Sequence, residues 1–124
     1  MASQKECFGT SAGIPASVAA RAGDYVYTSG QVPLDADGNL VGGDIGAQTK
    51  VVMERLKAAL ASAGCGMEDV VKCTCWLSEV SDFQAFNAVY ATYFPNNPPV
   101  RSTVRADLMV DCKVEVEAFA YKPL

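Results

Sequence analysis

The stretch from Arg101 to Ala120 constrains the fold most, because apolar and polar residues alternate along both of its halves. Alternation with a period of two is typical of half-buried β-strands. A short interruption between Asp107 and Asp111 separates the halves, so the stretch predicts two strands joined by a short connection. In the second strand, one face carries the small and branched apolar residues Val114, Val116, Ala118 and Ala120.

If the connection turns near Met109, the two strands pair as a hairpin, with Arg101 across from Glu117 and Thr103 across from Glu115. These four side chains would then share one face of the sheet. A guanidinium beside two carboxylates is either a cross-strand ion-pair ladder or part of a functional site. The pattern by itself leaves both interpretations open.

Composition places the chain among ordinary globular proteins. With 124 residues, of which 50% are hydrophobic, it can form one domain, residues 1–124, with a core of its own. No apolar run reaches the length of a membrane span, and the first residues lack the apolar core of a signal peptide, so we expect a cytoplasmic protein. The net charge of −4 disfavours nucleic-acid binding, which needs a basic patch.

Histidine is absent, and the five cysteines include no C-x-x-C pair. Imidazole ligands of zinc and the imidazole base of a Ser or Cys triad are therefore excluded, and we predict no metal site. Cys73 and Cys75 lie two residues apart on a predicted strand and so point to the same face. We expect them to be buried and reduced.

Periodicity and turn residues predict the remaining elements: an edge strand and a loop within 5–22, a strand over 24–31, a helix over 44–63, a strand over 68–78 and a helix over 82–93. Asp44 is the expected N-cap of the first helix, and Gly64 its left-handed end. Ser81 and Gln84 form a capping-box pattern at the second helix. The order β–β–(β)–α–β–α–β–β predicts an α+β fold, a mixed sheet with two helices on one face.

The two faces of this sheet are expected to differ. The helices should cover the face that carries Val71, Cys73, Leu77, Val114, Val116 and Ala118. The opposite face would carry the aromatic residues Tyr25, Tyr27, Trp76, Phe119 and Tyr121. So much aromatic surface is unusual on a monomer, and packing several subunits against one another would bury it.

Four segments carry a resemblance that runs along nearly the whole chain. They are Tyr-Thr-Ser-Gly-Gln-Val-Pro at 27–33, Glu-Asp-Val-Val-Lys at 68–72, Asp-Phe-Gln-Ala-Phe-Asn-Ala-Val-Tyr at 82–90, and Pro-Pro-Val-Arg-Ser at 98–102 with the later Lys-Val-Glu-Val-Glu-Ala at 113–118. Each is weak alone, but in this order and spacing they resemble the Rid family, the reactive intermediate deaminases first described through a liver perchloric-acid-soluble protein. The resemblance implies a chorismate-mutase-like fold and a homotrimer with sites between subunits. It also implies cofactor-independent hydrolysis of 2-enamino or 2-imino acids to 2-keto acids and ammonia.

The resemblance also implies which residues act. Arg101 matches the family arginine that anchors the substrate carboxylate, for which its two-pronged guanidinium is suited. Glu115 matches the glutamate that orients the hydrolytic water, once a connection shorter by one residue is allowed, and Glu117 remains a competitor for this role.

Four further residues are expected to bind substrate. Ser29 and Gly30 match a Ser-Gly pair where the backbone approaches the ligand, although glycine there can also simply relieve crowding in a strand. Asn87 matches an asparagine of the second helix, or is a surface amide that links the helix to a neighbouring loop. Thr103 would offer its backbone amide.

Two departures from the family pattern concern the substrate. Ala16 stands where better-known deaminases have a tyrosine, and Thr103 where they often have a cysteine. The loss of the tyrosine hydroxyl leaves open a pathway-specific enamine as substrate, of the 2-aminomuconate or 3-aminoacrylate type. It equally leaves open a non-catalytic, ligand-binding or chaperone-like trimer. Endoribonuclease activity, attributed to some relatives, fits the acidic and histidine-free composition less well.

Overall fold

Six strands and two helices make up the architecture of the computed structural model, which describes residues 4–11 and 13–124. The elements follow in the order β1 (Glu6–Thr10), β2 (Ser17–Ala22), β3 (Tyr25–Thr28), α1 (Ile45–Ser62), β4 (Val70–Leu77), α2 (Phe83–Tyr90), β5 (Val100–Arg105) and β6 (Val114–Tyr121). The predicted α+β class, with a mixed sheet and two helices on one face, is confirmed. The loop expected before Ala22 is wrong in part, because residues 17–22 form β2 and pair with β1 as a hairpin.

All six strands belong to one sheet, in the order β1-β2-β3-β6-β4-β5. Neighbouring strands are antiparallel except β4 and β5, which are parallel because α2 connects them as a βαβ unit. Strand β5 therefore forms one edge of the sheet, and β6 lies on the other side of β4.

This order contradicts the predicted hairpin of the last two strands. Arg101 pairs with Cys73 of β4, and Cys73 pairs on its other side with Ala118 of β6. Since β4 lies between β5 and β6, Arg101 is not across from Glu117. The ion-pair ladder considered above is excluded with it.

Helix α1 agrees closely with its prediction. The Asp44 carboxylate accepts a hydrogen bond of 2.9 Å from the Ala47 amide and so caps the first turn. The helix ends before Gly64, whose φ of +82° reverses the chain as glycine does easily. Its buried face supplies Val52, Met53, Leu56 and Leu60 to the core.

Helix α2 is shorter than predicted, and its predicted capping box is wrong. Asp82 occupies the N-cap position, and no side chain makes a capping hydrogen bond there. Ser81 instead lies inside a 3-10 turn, Val80–Asp82, that leads into the helix. A second 3-10 turn, Ala91–Tyr93, follows α2 before Pro95.

The core lies between the helices and one face of the sheet, where the buried residues of β4 and β6 alternate with partly exposed ones. Cys73 and Cys75 are buried and unbridged, as predicted. Val71 was assigned to this face wrongly. An irregularity in the β4–β6 pairing between Val70 and Lys72 turns Val70 inward and leaves Val71 45% exposed.

On the open face, four of the five expected aromatic residues form two pairs in which the rings are tilted against each other. Tyr25 and Tyr121 lie 5.2 Å apart between ring centroids, and Tyr27 and Phe119 lie 4.9 Å apart. The three tyrosines are 40–45% exposed, so this face is an apolar surface without cover from the described part of its own chain. Among the described residues, no helix combines the length and the apolar character needed to cross a membrane.

Candidate functional site

Arg101 is held against α2 by one hydrogen bond and three aromatic rings. Its Nη1 donates to Oδ1 of Asn87 at 2.8 Å. Its guanidinium carbon lies 4.8 Å from the centre of the Tyr90 ring, 5.6 Å from that of Phe83 and 5.7 Å from that of Phe86. Contacts of this length between a cation and a ring face are attractive, and more so when water is partly excluded.

The charge of Arg101 has no acidic partner among residues 4–11 and 13–124, where the recorded ion pair is that of Lys122 with Asp69. A partly buried guanidinium without a carboxylate is unusual, because burial of an uncompensated charge costs free energy. Asn87 accepts a hydrogen bond from only one of the guanidinium N–H groups of Arg101. The remaining donors suit a carboxylate supplied by a ligand.

Thr103 lies two residues along β5 on the same face, beside Cys75. Its hydroxyl oxygen is buried and has no hydrogen-bond partner in the described residues. Burial raises the pKa of the Cys75 thiol to about 12, so this neighbour stays neutral. We refer to Asn87, Arg101 and Thr103 as the arginine half-site.

Ser29, Gly30 and Glu115 come together elsewhere, and we call them the glutamate half-site. Between the pairs Tyr27–Phe119 and Gln31–Val116, the strand before Gln31 contains one residue more than β6. This bulge brings Gly30 against the end of the Glu115 side chain, where a Cβ atom would overlap the carboxylate.

The hydroxyl groups of the two residues before Gly30 form hydrogen bonds that hold the bulge in place. The Ser29 hydroxyl donates to the Ser17 carbonyl at 2.6 Å, and the Thr28 hydroxyl accepts from the Ala118 amide at 3.1 Å. Ala16 directly precedes Ser17, so the position of the missing family tyrosine adjoins the glutamate half-site. The structure thus gives Ser29 a structural hydrogen bond in addition to its predicted role.

Glu115 has an environment that favours its protonated form. Partial burial raises the pKa of its carboxyl, and the nearby negative charge of Glu117 raises it further. Trp76 of β4 lies directly across from Glu115, and Thr74 across from Glu117. Glu115, not Glu117, is the glutamate that Gly30 accommodates.

The two half-sites lie on opposite faces of the sheet. Arg101 pairs with Cys73, which points to the helices, whereas Glu115 pairs with Trp76, which points to the open face. Strand β4 separates β5 from β6, which puts their backbones about 10 Å apart at the usual strand spacing. The prediction that Arg101 and the glutamates share one face is therefore wrong, and one chain does not bring them to the same small molecule.

Sequence reasoning missed the rings around Arg101. Phe83, Phe86 and Tyr90 follow one another at helical spacing in the sequence, which predicts an apolar stripe that faces the core, and Phe86 and Tyr90 do belong to the core. The same residues also contact the guanidinium. The signal was present, since Asn87 lies within this stripe, one turn of helix before Tyr90.

One groove of the described structure lies away from both half-sites. It encloses 680 Å³ beside the β5–β6 connection, and its lining includes Gly43, Gln48, Glu79 and residues 107–113. None of the six predicted site residues lines it. A second concavity of 470 Å³, between residues 34–36 and α1, contains none of them either.

Comparison with known families matches residues 11–122 to the family described as endoribonuclease L-PSP. A RutC family protein of Pyrococcus abyssi is 43% identical over 110 residues, which cover 87% of each chain. These matches include both half-sites.

Solved structures agree with the fold. YyfA of Yersinia pestis, a protein of the conserved Rid family, superposes with a TM-score of 0.90 at 34% identity, over 95% of this chain and 99% of its own. Escherichia coli TdcF, solved with bound serine, superposes with a TM-score of 0.88 at 30% identity, over 94% of this chain and 98% of its own.

Proposed function

This chain belongs to the Rid family, also called the endoribonuclease L-PSP family, and we propose that it hydrolyses reactive 2-enamino or 2-imino acids to 2-keto acids and ammonia. The observation that carries the proposal is the partly buried guanidinium of Arg101, which lacks an acidic partner in the described residues. Its free N–H groups suit the carboxylate that all these substrates share. The bound serine of the TdcF structure is a small molecule with such a carboxylate.

The complete site forms between subunits of a homotrimer in this proposal. The arginine half-site of one subunit would face the glutamate half-site of its neighbour, which solves the problem that they lie on opposite faces. The aromatic open face supports assembly, because it is an apolar surface of the kind that subunit contacts bury.

The reaction needs no cofactor, because an imine carbon is already electrophilic. An enamine first takes a proton on its β-carbon and gives up one from its nitrogen, and so becomes the imine. Water then adds its oxygen to the imine carbon and loses one proton, while the nitrogen takes up a proton, which gives a carbinolamine. The hydroxyl proton of the carbinolamine is then transferred to the nitrogen as the C–N bond breaks, which releases ammonia and leaves the 2-keto acid.

Each half-site has one part in this sequence. Arg101 holds the carboxylate, so the imine carbon lies at a fixed distance from the neighbouring subunit's glutamate half-site. Glu115 orients the water and accepts its proton. Burial and the charge of Glu117 raise the pKa of Glu115, which makes its carboxylate a stronger base for the proton of the water.

Binding without turnover is a second candidate, and Ala16 is the observation that favours it. Its methyl group cannot supply the hydroxyl that a tyrosine would bring next to Ser17 and the glutamate half-site. A specialised enamine, such as a dicarboxylate of the 2-aminomuconate type, is compatible with the same arrangement. RNA cleavage fits less well, because a net charge of −4 disfavours binding of the phosphate backbone.

The test is to generate 2-aminoacrylate from serine with a dehydratase and to follow pyruvate release with and without this protein. We expect acceleration over the spontaneous rate, loss of it in Arg101→Ala, and a reduced rate in Glu115→Gln with pyruvate binding retained. Arg105→Ala is the matched control, since Arg105 is exposed on the same strand and its Nε donates to the Ser78 carbonyl, which belongs to neither half-site. Pyruvate binding that depends on Arg101 without any acceleration, over several short imino acids, would favour the binding-only function.

A further inference from the structure

Tyr90 provides the ring that lies closest to the guanidinium of Arg101. The distance from the guanidinium carbon to the ring centre is 4.8 Å, against 5.6 Å or more for the other two rings. Tyr90 is only 6% exposed, and Phe86 and Phe94 pack against it at 5.4 and 5.0 Å between ring centres. The Tyr90 ring therefore belongs to the core and also contacts Arg101.

The hydroxyl of Tyr90 does not explain why a tyrosine is buried here. Its oxygen is inaccessible and has no hydrogen-bond partner among the described residues, although the Cys73 thiol lies nearby. Burial raises the pKa of the phenol, and the Cys73 thiol raises it further, so the phenol remains neutral. Tyr90 therefore acts on Arg101 through its ring face and not as an anion.

Helix α2 contacts the guanidinium at two points. Asn87 and Tyr90 lie three residues apart, hence on the same side of the helix. Asn87 accepts from Nη1 of the guanidinium, and the guanidinium carbon lies over the ring of Tyr90. A hydrogen bond to one nitrogen together with a ring contact restricts both the position and the orientation of a planar group.

We propose that Tyr90 is a positioning residue, whose ring holds the guanidinium plane of Arg101 so that its free edge faces the carboxylate of the ligand. This inference rests on the proposed function in one respect, namely that Arg101 binds a carboxylate. It adds that this binding depends on a residue of the core that does not touch the ligand.

The experiment measures pyruvate binding by calorimetry for the wild type, Tyr90→Phe and Tyr90→Leu. Tyr90→Phe keeps the ring and should bind within about threefold of wild type. Tyr90→Leu should lose about tenfold in affinity, the middle of the range for a partly desolvated cation–ring contact. Phe94→Leu is the matched control, because it removes a buried ring that packs on Tyr90 but is absent from the guanidinium contacts. It should lower stability without lowering affinity.

A second measurement is independent of any ligand. Nuclear magnetic resonance of the Arg101 side-chain N–H groups reports how fast the guanidinium rotates about its Nε–Cζ bond. We expect slow rotation in the wild type, Tyr90→Phe and Phe94→Leu, and faster rotation in Tyr90→Leu. If Tyr90→Leu does not fold, Tyr90→Met replaces it, because methionine fills the space without a ring.

The outcomes separate this inference from the proposed function. If Arg101→Lys loses pyruvate but Tyr90→Leu binds it like wild type, the role of Tyr90 is overturned and the carboxylate site stands. If the wild type binds no short 2-keto acid, the proposed function fails, and the rotation rates alone decide on Tyr90. Equal losses in Phe94→Leu and Tyr90→Leu would reduce Tyr90 to an ordinary core residue.

Discussion

The arginine and glutamate half-sites are built in different ways, although both rest on the same sheet. Arg101 is oriented by its own chain, since Asn87 and Tyr90 of one helix hold its guanidinium at two points. Glu115 projects from the open face and is accommodated by a glycine, with no hydrogen bond to its carboxylate recorded among the described residues. One half is therefore pre-organised by the core, and the other is left open on its own subunit.

This difference indicates what each half requires. Core packing fixes the arginine half-site before any partner arrives, so ligand binding through it can be measured in isolation from turnover. The glutamate half-site lies on the face that carries the exposed aromatic pairs. In the proposed trimer, a neighbouring subunit would cover that face and exclude more water from Glu115.

Mixing the two impaired variants Arg101→Ala and Glu115→Gln gives the strongest test of this contrast. If each site combines Arg101 of one subunit with Glu115 of the next, trimers reassembled from Arg101→Ala and Glu115→Gln regain some intact sites. Random mixing of equal amounts restores about a quarter of the sites. An intact site needs a Glu115→Gln subunit to supply Arg101 and an Arg101→Ala subunit to supply Glu115, and each of these has a chance of about one half. The measurement is the rate of pyruvate release from 2-aminoacrylate before and after mixing.

The control for this mixture is each variant taken through the same dissociation and reassembly alone, which should restore nothing. Light scattering on a sizing column should give about three times the chain mass of 13.1 kDa for every sample. Trimers without regained activity would place a whole site on one chain. A monomer would contradict the shared site altogether.

Local signals predicted helix α1 well, because the contacts that determine its two ends are near in sequence, although the equally local capping box predicted for α2 is wrong. Helix α1 begins after the capping carboxylate of Asp44 and ends before the chain reversal at Gly64, almost as expected, because both residues act within one turn of the helix. The strand partners were mistaken at the C-terminus, since alternation shows which residues share a face but not which strand lies alongside. The intervening helix α2 was the available signal, as β4 and β5 around one helix form a parallel pair.

For the candidate site, the residues were predicted but their arrangement in space was not. Family resemblance selected the residues of both half-sites, and the structure groups them as Asn87, Arg101 and Thr103 on one side and Ser29, Gly30 and Glu115 on the other. Their separation onto two faces could not be predicted, because it follows from the position of β4 between β5 and β6. The role of Tyr90 was hidden because a residue can serve the core and a site at once.

Gly30→Ala should disable the glutamate half-site and leave the arginine half-site intact. The added methyl group overlaps the Glu115 carboxylate, which is the far end of a flexible side chain and can swing away. We therefore expect a modest change in stability but a fall in turnover of up to about 100-fold, since small misplacements of a catalytic group are costly. Pyruvate affinity should remain near wild type.

Gly42→Ala is the matched control for this substitution. A Cβ atom there meets nothing within 4 Å, and Gly42 is not among the glycines with positive φ. Turnover of Gly42→Ala should equal that of the wild type. If Gly30→Ala were fully active, the close approach of Gly30 to Glu115 would have no part in orienting the water.

The smallest expected effect is a stability difference that depends on pH. Burial and the Glu117 charge raise the pKa of Glu115 in the folded protein, so the folded state holds this proton more strongly than the unfolded chain. The free energy of unfolding therefore falls as the pH rises from the ordinary carboxyl pKa to the raised pKa of Glu115. Above the raised pKa it falls no further on account of this group. Glu115→Gln removes this dependence and should unfold at a higher temperature than wild type at pH 7. The difference should vanish below about pH 4, where the wild-type carboxyl is protonated in both states.

Thermal unfolding at fixed protein concentration measures this difference, because assembly shifts the midpoint with concentration. Glu117→Gln, which removes only the second cause, should give a smaller gain. A Glu115→Gln variant less stable than wild type at pH 7 would mean that the carboxylate has a stabilising partner, and the glutamate half-site would then be as closed as the arginine half-site.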